Sequence, residues 1–433
     1  MNSLKIEGGH RLSGDVYVSG AKNAVLPEIF AALLTDSPVF LKNVPRLGDV
    51  DLAVSILRKL SVVAETHHQV EGDNPNNSMN LVIDADDLHR TPQVLFEEVS
   101  KMRGSILTIG PLLARHGYID LGMQGGCAIG ERSIAEHIFG LEKMGAVFTV
   151  DPHGNLEGRV NGRLVGATIR MGVRSVTGTE NIMMAATLAV GTTVIKNAAR
   201  EPEIVDLAKM LTAMGAKIRG AGTDEITIEG VKNLSGCIHH VMPDRIEAAT
   251  FIFASMITRS MITVHGAVQQ HMMAAILLMN AMGADIRQIA PDALQIGIGK
   301  DKLQAISAAT GPYPFFPTDM QAQLMATTLF STGSCVILEN IFENRFMHVS
   351  QMQKMGANLK LVDGQSVLYG PQSKLVGARV KSSDLRAAAA LVIAGLGAEG
   401  TTVVEDVYHL DRGYQNMEIK LQKLGAKIER VKE

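Results

Sequence analysis

The sequence predicts an α/β protein built from six similar units of about 70 residues, with helices inside and sheets around them. Two helix-to-strand junctions recur along the chain in step with each other, and they define the units. The helices between them are apolar on nearly all sides, as at Ala185–Ala189 and Ala387–Val392, and such helices are normally buried. A TIM barrel would need eight strand–helix pairs, which this repeat does not supply.

The first junction is a helix that ends in Met or Leu and is followed by Gly-Ala and a short alternating strand. The glycines of five copies lie between 68 and 73 residues apart, and a weaker sixth copy, Leu60-Ser61-Val62, precedes them. The five copies are Met-Gly-Ala at 144–146, 214–216, 282–284 and 355–357, and Leu-Gly-Ala at 424–426.

The second junction is an Ala/Leu-rich helix that runs through Gly or Ser into a β-branched strand. It is clearest at Gly191–Ile195, where the glycine ends the helix in left-handed geometry. The six copies lie within 31–41, 111–121, 185–195, 253–264, 326–338 and 389–404.

Six units arranged three and three predict two pseudo-symmetric lobes. One lobe comprises residues 22–241, and the other comprises residues 1–21 and 242–433. A proline follows a hydrophilic stretch at Val241-Met242-Pro243, and we expect a hinge there.

Composition excludes several classes of function. The formal net charge is −3 and aromatic residues make up 4%, so nucleic acid is not an expected partner. The longest apolar run, Ala387–Ala398, is too short to span a bilayer, and the N-terminus has no signal-peptide core. Cys127, Cys237 and Cys335 have no metal-binding spacing, so we expect reduced thiols and a cytoplasmic protein. The oligomeric state is not predicted.

The glycine-rich stretch 123–132 is a loop by composition. Cys127 follows two glycines, and Arg132 lies five residues beyond it. This pattern is typical of a reactive thiol, because a cation favours the thiolate and glycine lets a substrate approach. The alternative is a small apolar side chain at a turn.

Charged residues at element ends have two interpretations. Lys22 follows small residues at a helix start, which suits an anion site or an ordinary turn with a solvated lysine. Asp319 precedes an apolar helix and is either a cap or a general base. Several arginines at element ends either form local salt bridges or converge on a multiply anionic substrate. These arginines are Arg103, Arg132, Arg345, Arg386 and Arg412.

Seven stretches, taken together and in order, resemble the enolpyruvyl transferase family, in particular the branch that acts on UDP-N-acetylglucosamine. They are SGAKNA at 19–24, GGCAIG at 125–130, NAAREPEIVD at 197–206, FPTDMQAQ at 316–323, FENRFMH at 342–348, DLR at 384–386 and HLDRGY at 409–414. The resemblance implies a two-lobed inside-out α/β barrel of six βαβαββ units, with no metal or organic cofactor. It also implies transfer of the enolpyruvyl group of phosphoenolpyruvate to the 3-hydroxyl of UDP-N-acetylglucosamine, early in peptidoglycan synthesis.

The resemblance also implies roles for individual residues. Cys127 would be the general acid and the target of the epoxide fosfomycin, and Asp319 would take the proton of the sugar hydroxyl. The phosphoenolpyruvate site would comprise Lys22, Asn23, Arg132, Arg345, Arg386 and Arg412. Catalysis would depend on Cys127, Asp319, Lys22 and Arg412 and would require the lobes to close.

The implied contacts with UDP-N-acetylglucosamine include a departure from the family pattern. After Arg132 the family commonly has Pro-Ile/Val-Asp-Leu-His, whereas this chain has Ser133-Ile134-Ala135-Glu136-His137. Ala135 therefore stands where an aspartate would help to read the uracil, and Glu136 adds a carboxylate beside it. The implied contacts are Asn23, Arg103, Arg132, Ser133, Ile134, Ala135, Glu136, Ser175, Val176, Asp319 and Ile341.

Two other functions stay open at this stage. The same chemistry with another acceptor, shikimate 3-phosphate, would use the same fold and phosphoenolpyruvate site. The altered stretch 133–136 would also suit a non-catalytic paralogue that binds UDP-N-acetylglucosamine and regulates a partner.

Overall fold

The structure is a computed structural model that describes residues 2–68, 77–88, 92–94, 102–122, 134–152, 155–298, 302–363, 366–370 and 374–432. Its helices are α1 (Lys22–Ala31), α2 (Gly48–Lys59), α3 (Ile109–His116), α4 (Ala135–Lys143), α5 (Val176–Thr187), α6 (Pro202–Ala213), α7 (Arg245–Thr258), α8 (Met273–Met282), α9 (Gln321–Thr328), α10 (Val349–Lys354), α11 (Leu385–Gly397), α12 (Tyr408–Asp411) and α13 (Met417–Lys423). Short 3₁₀ turns cover Ala32–Leu34, Arg103–Thr108, Gln269–Met272 and Thr318–Met320.

The strands are short and lie between the helices. They are β1 (Asn2–Glu7), β2 (Ser13–Tyr17), β3 (Val39–Val44), β4 (Val63–His68), β5 (Met79–Asp84), β6 (Gln93–Val94), β7 (Tyr118–Leu121), β8 (Ala146–Val150), β9 (Leu156–Val160), β10 (Thr168–Arg170), β11 (Thr192–Lys196), β12 (Lys217–Arg219), β13 (Glu225–Glu229), β14 (Ile238–His240), β15 (Met261–His265), β16 (Ala284–Ala290), β17 (Ala293–Ile298), β18 (Leu303–Gln304), β19 (Ala308–Ala309), β20 (Ser331–Thr332), β21 (Cys335–Leu338), β22 (Leu359–Val362), β23 (Ser366–Tyr369), β24 (Arg379–Lys381), β25 (Thr401–Glu405) and β26 (Lys427–Lys432).

Among the described residues, six four-stranded sheets share one topology. Each has a parallel pair, and the second strand of that pair is followed by two further strands that pair antiparallel; these two form a hairpin in five sheets and come from the two ends of the chain, β1 and β26, in the sixth. The sheet orders are β14-β3-β5-β4, β6-β7-β9-β8, β10-β11-β13-β12, β2-β15-β17-β16, β19-β21-β23-β22 and β24-β25-β1-β26. The six predicted βαβαββ repeats are therefore confirmed.

The first recurring junction is visible in the backbone of every repeat. All six positions have positive φ: Gly145 at 97°, Gly215 at 106°, Gly283 at 117°, Gly356 at 89°, Gly425 at 96° and Ser61 at 63°. Left-handed backbone suits glycine because it has no Cβ, which explains why five of the copies use it. Ser61 is the one copy in this set that adopts the same turn with a side chain.

The described chain divides into two compact units. One comprises the described residues between 20 and 242, and the other comprises residues 2–19 and 243–432. The chain passes between units at Ser19–Gly20 and at Met242–Pro243. Each unit has its own apolar core and three of the six sheets.

Helices fill the centre of each unit and the sheets surround them. All fourteen residues of α7 are buried, as are Arg386–Leu396 of α11. Strands alternate instead, as in β11 and β25, where every second side chain is buried. This is the inside-out α/β barrel arrangement that was predicted. No helix in the described ranges is long and apolar enough to cross a membrane.

Candidate active site

Asp319 lies between two buried arginines. Its Oδ1 accepts a hydrogen bond from Nη2 of Arg345 at 2.7 Å, and its Oδ2 accepts one from Nη2 of Arg386 at 3.0 Å. The arginine side chains are 6% and 3% exposed, whereas the aspartate side chain is 24% exposed. The carboxylate is therefore held by two cations and still partly exposed, which suits a general base.

The capping interpretation of Asp319 is wrong. Asp319 lies in the 3₁₀ turn Thr318–Met320, and the N-cap position of α9 is Met320, which makes no side-chain cap. The neighbouring acidic residues Glu343 and Asp384 do not explain the arginines either. Glu343 is exposed, and Asp384 caps α11 through the N–H groups of Arg386 and Ala387.

Arg386 is also held in place by a cluster of buried polar side chains. Its Nη1 donates to the hydroxyl of Tyr414 at 3.3 Å, and its guanidinium lies 5.6 Å from the centre of that ring. The Tyr414 hydroxyl also meets Thr250 at 2.9 Å and accepts from Gln323 at 3.0 Å. Burial lowers the pKa of Arg386, but Asp319, Tyr414 and Asp244 together raise it by more, so the guanidinium stays charged.

Arg345 is fixed through a second buried acid, Glu339. Nη1 of Arg345 donates to Thr318 Oγ1 at 2.8 Å, and that hydroxyl donates to Glu339 Oε2 at 2.8 Å. Glu339 Oε1 also accepts from Thr310 Oγ1 and from the N–H of Ile341, both at 2.8 Å. Glu339 is 1% exposed, so its charge is stabilised by these donors.

Lys22 begins α1 and forms an ion pair with Asp49 in the same unit. Its Nζ lies 2.9 Å from Oδ2 of Asp49, and the two side chains are 14% and 4% exposed. The interpretation of Lys22 as a solvated turn lysine is therefore wrong. Asp49 lies in the first turn of α2, where the helix N-terminus also favours its charge.

Arg412 immediately follows α12 and is half-buried. Its neighbour Asp411 pairs with Arg430 instead, at 2.7 and 2.8 Å through both carboxylate oxygens. A local salt bridge to Asp411 therefore does not account for Arg412. The charge of Arg412 reaches His409, whose pKa is lowered by burial and then by this arginine.

The N-terminus of α4 is joined to the start of α5. The carboxylate of Glu136 accepts from the N–H of Gly172 at 3.0 Å and of Val173 at 2.9 Å. His137 meets Thr177 through Nε2 at 3.1 Å, and its Nδ1 accepts from Asn181 at 2.8 Å. Ile134, Ala135 and Glu136 are thus brought next to Ser175 and Val176.

Four further predicted contacts have defined local positions. Arg103 opens a 3₁₀ turn, and its charge reaches His137. Ser175 is the N-cap of α5 and accepts from the N–H of Gly178 at 3.1 Å. Ile341 is exposed beside Glu339, while Asn23 is the second residue of α1.

The predicted residues Cys127, Arg132 and Ser133 lie outside the described residues. The other two cysteines do not resemble reactive thiols. Burial raises the pKa of Cys237 to about 11, with a smaller contribution from Glu28, and burial raises the pKa of Cys335 to about 11. Neither forms thiolate readily at neutral pH.

Sequence reasoning missed the residues that hold the site residues in place. Glu339, Asp49 and Tyr414 carry no local pattern that distinguishes them from ordinary polar residues at element ends. Tyr414 belongs to the stretch HLDRGY, and this is the one signal that could have drawn attention to it.

Comparisons with known proteins agree over the whole chain. The model of the EPSP synthase (3-phosphoshikimate 1-carboxyvinyltransferase) family matches residues 6–421. The UDP-N-acetylglucosamine 1-carboxyvinyltransferase of Aeromonas hydrophila is 46% identical over 432 residues, and that of Dichelobacter nodosus is 47% identical over 433 residues. Both alignments cover 100% of each chain.

Solved structures share the fold at lower identity. The enolpyruvyl transferase NikO from Streptomyces tendae has a TM-score of 0.86 at 22% identity and covers 99% of each chain. An EPSP synthase from Acinetobacter baumannii has a TM-score of 0.73 at 16% identity and covers 100% of each chain.

Proposed function

The chain belongs to the EPSP synthase family of enolpyruvyl transferases, and we propose that it transfers the enolpyruvyl group of phosphoenolpyruvate to the 3-hydroxyl of UDP-N-acetylglucosamine. Phosphate is the second product. The observation that carries this proposal is that full-length relatives at nearly half identity bear the name of this activity. On this proposal the protein acts in the cytoplasm at the start of peptidoglycan precursor synthesis.

Asp319 is the base of the proposed reaction. It accepts the proton of the sugar hydroxyl as the hydroxyl oxygen attacks C2 of phosphoenolpyruvate. Arg345 and Arg386 orient its two oxygens, and the side chain remains 24% exposed. Cys127 gives a proton to the methylene carbon C3, so the addition is balanced by one proton lost and one gained.

Elimination then completes the transfer. C3 loses a proton, the C2–O bond to phosphate breaks, and the enol ether remains on the sugar. A leaving phosphate needs positive charge, which Lys22, Arg132 and Arg412 supply in this proposal, with Arg345 and Arg386 beside them. Asn23 adds a neutral donor to this set.

Recognition of the nucleotide sugar would involve the joined ends of α4 and α5. The carboxylate of Glu136 already accepts hydrogen bonds from the N–H groups of Gly172 and Val173, so Glu136 is a poor substitute for an aspartate that binds uracil. The uracil would therefore be read by backbone groups around Ser133–Ala135, with Arg103, Ser175, Val176 and Ile341 as further contacts.

The test is phosphate release by the purified full-length protein with phosphoenolpyruvate and UDP-N-acetylglucosamine. Release that depends on both substrates supports the proposal. Release with shikimate 3-phosphate instead would assign the other acceptor. Tight binding of UDP-N-acetylglucosamine without turnover at millimolar substrates would assign a regulatory paralogue.

A further inference from the structure

Three metal-ligating side chains meet inside the unit formed by residues 20–242. They are Glu28 on α1, Asp206 on α6 and His239 on β14, and one donor atom of each lies within 4.8 Å of the others. Within the described ranges this is the one such group. The sequence predicts no metal site, because the three residues are far apart along the chain.

The distances from the His239 nitrogen to the two carboxylates suit a small tetrahedral cation. His239 Nε2 lies 3.3 Å from Glu28 Oε1 and 3.4 Å from Asp206 Oδ2. Zinc–ligand bonds of about 2.0–2.1 Å at tetrahedral angles place neighbouring donors about 3.3–3.4 Å apart. An octahedral magnesium site would place them closer, at about 2.9 Å.

A direct ion pair explains this spacing less well. A charge-assisted bond between imidazolium and carboxylate is normally about 2.7–2.9 Å long. Neither Glu28 oxygen nor His239 Nε2 has a hydrogen-bond partner among the described residues. The three groups thus lie at ion-pair distance from one another, but the contacts of His239 Nε2 are longer than such a bond.

Glu28 is the independent sign that something is to be bound. Its side chain is 0% exposed, in a helix whose neighbouring residues are apolar and buried. A buried carboxylate with no donor is costly unless a cation compensates it. Asp206 and His239 are 10% or less exposed, so the whole group is buried or nearly so.

We propose that Glu28, Asp206 and His239 bind one divalent transition-metal ion of the zinc class, with water as the fourth ligand. Two carboxylates and a neutral imidazole carry a charge of −2, which such an ion neutralises. Asp206 Oδ2 also accepts from the N–H of Met242 at 2.9 Å, which orients this ligand. The ion would tie α1 and α6 to β14, where the chain leaves this unit.

The test is zinc binding by the full-length protein after treatment with a chelator, followed by calorimetry and elemental analysis. One zinc ion per chain is expected, and Co²⁺ in its place should give the intense visible absorption of tetrahedral geometry. Glu28→Gln and His239→Gln should each weaken binding by at least about tenfold. His240→Gln, one residue along the same strand, and Cys237→Ser should bind as the wild type does.

Glu28→Leu is the control that separates loss of the ion from loss of folding. An apolar side chain of similar size suits this buried position, so the variant should fold, as judged by circular dichroism, and should lose the ion. The proposal is overturned if no zinc binds, or if any folded Glu28 variant keeps wild-type affinity. The readout is binding, so a failure here leaves the proposed transferase activity untouched, and loss of turnover does not affect this test.

Discussion

Arg386 donates to Asp319 at 3.0 Å although 67 residues separate them in sequence. Arg345, 26 residues from Asp319, donates to the other carboxylate oxygen. Two cations on one carboxylate fix its orientation, and they also bring positive charge close to the place where a proton is to be accepted.

Replacement of Asp319 by Asn should remove the base while nearly preserving its shape. Turnover should fall by a factor on the order of 10²–10⁴, because general base catalysis normally contributes that much. Phosphate release measures the loss, and calorimetry with UDP-N-acetylglucosamine shows whether the variant still binds. Asp292→Asn, at an exposed turn of the same unit, is the control. Wild-type turnover in Asp319→Asn would rule out the assigned role.

Glu339 should act on catalysis through Arg345 and Thr318. In Glu339→Gln an N–H₂ group replaces one of two acceptor oxygens, which leaves at least one buried donor unsatisfied and costs about 1–3 kcal/mol of unfolding free energy. A shifted Arg345 should also lower kcat by about tenfold or more, with KM for the sugar nucleotide little changed. Glu405→Gln, at an exposed pair with Arg379, should alter neither quantity. Equal kcat values in Glu339→Gln and the wild type would contradict the positioning role.

An epoxide such as fosfomycin should modify Cys127 alone. Burial raises the pKa of Cys237 and of Cys335 to about 11, so both are almost entirely thiol at neutral pH. Mass spectrometry should find a single adduct, and Cys127→Asp should abolish inhibition while keeping some proton transfer. An adduct on Cys237, or inhibition that persists in Cys127→Asp, would be incompatible with this assignment.

Ser61→Gly should stabilise the protein. Ser61 has φ of 63°, and left-handed backbone costs a residue with a side chain about 1–2 kcal/mol. Part of that gain is lost to the greater freedom of glycine in the unfolded chain, so a net increase of about 0.5–1 kcal/mol is expected. Denaturant unfolding measures it. Gly215→Ser, at the equivalent turn of another repeat, should lower the free energy of unfolding. A Ser61→Gly variant that is less stable than the wild type would refute the explanation.

His137 should make stability fall as pH falls. Burial lowers its pKa to about 3, with a further contribution from Arg103. An unfolded histidine has a pKa of about 6.5, so between pH 6.5 and 3 the unfolded chain binds a proton that the native chain excludes. Unfolding free energy should decrease by about 1 kcal/mol per pH unit across that window. His137→Gln should reduce this slope and His240→Gln should not; identical slopes in all three proteins would contradict the prediction.

The repeats could be predicted from sequence because each leaves a local mark. The left-handed turn at Gly145 and its equivalents selects glycine, and apolar helices such as α11 contain almost no polar residues in their interior. Both signals are read within a few residues of one another. They can therefore be detected in a single sequence, and they predict the fold class, the number of repeats and the burial of the helices.

The supports of the site could not be predicted because they depend on pairing across the fold. Nothing near Asp319 indicates that its partners are Arg345 and Arg386, and local rules favoured a helix cap. Lys22 looked solvated for the same reason, since Asp49 lies in another helix. The resemblance to a family named the reacting residues, and it pointed to Glu201, Glu343 and Asp384 as their supports, but it did not point to Glu339, Asp49 or Tyr414.

The pairing of N-terminal with C-terminal strands sets the order in which the two units can fold during translation. The strands described in the 20–242 unit all lie between residues 39 and 240, so its sheets can form as soon as that stretch has been synthesised. β1 and β2 are made first, yet β1 pairs with β25 and β26 and β2 with β15. In the other unit, β1 therefore stays without its partner strands until translation is almost finished.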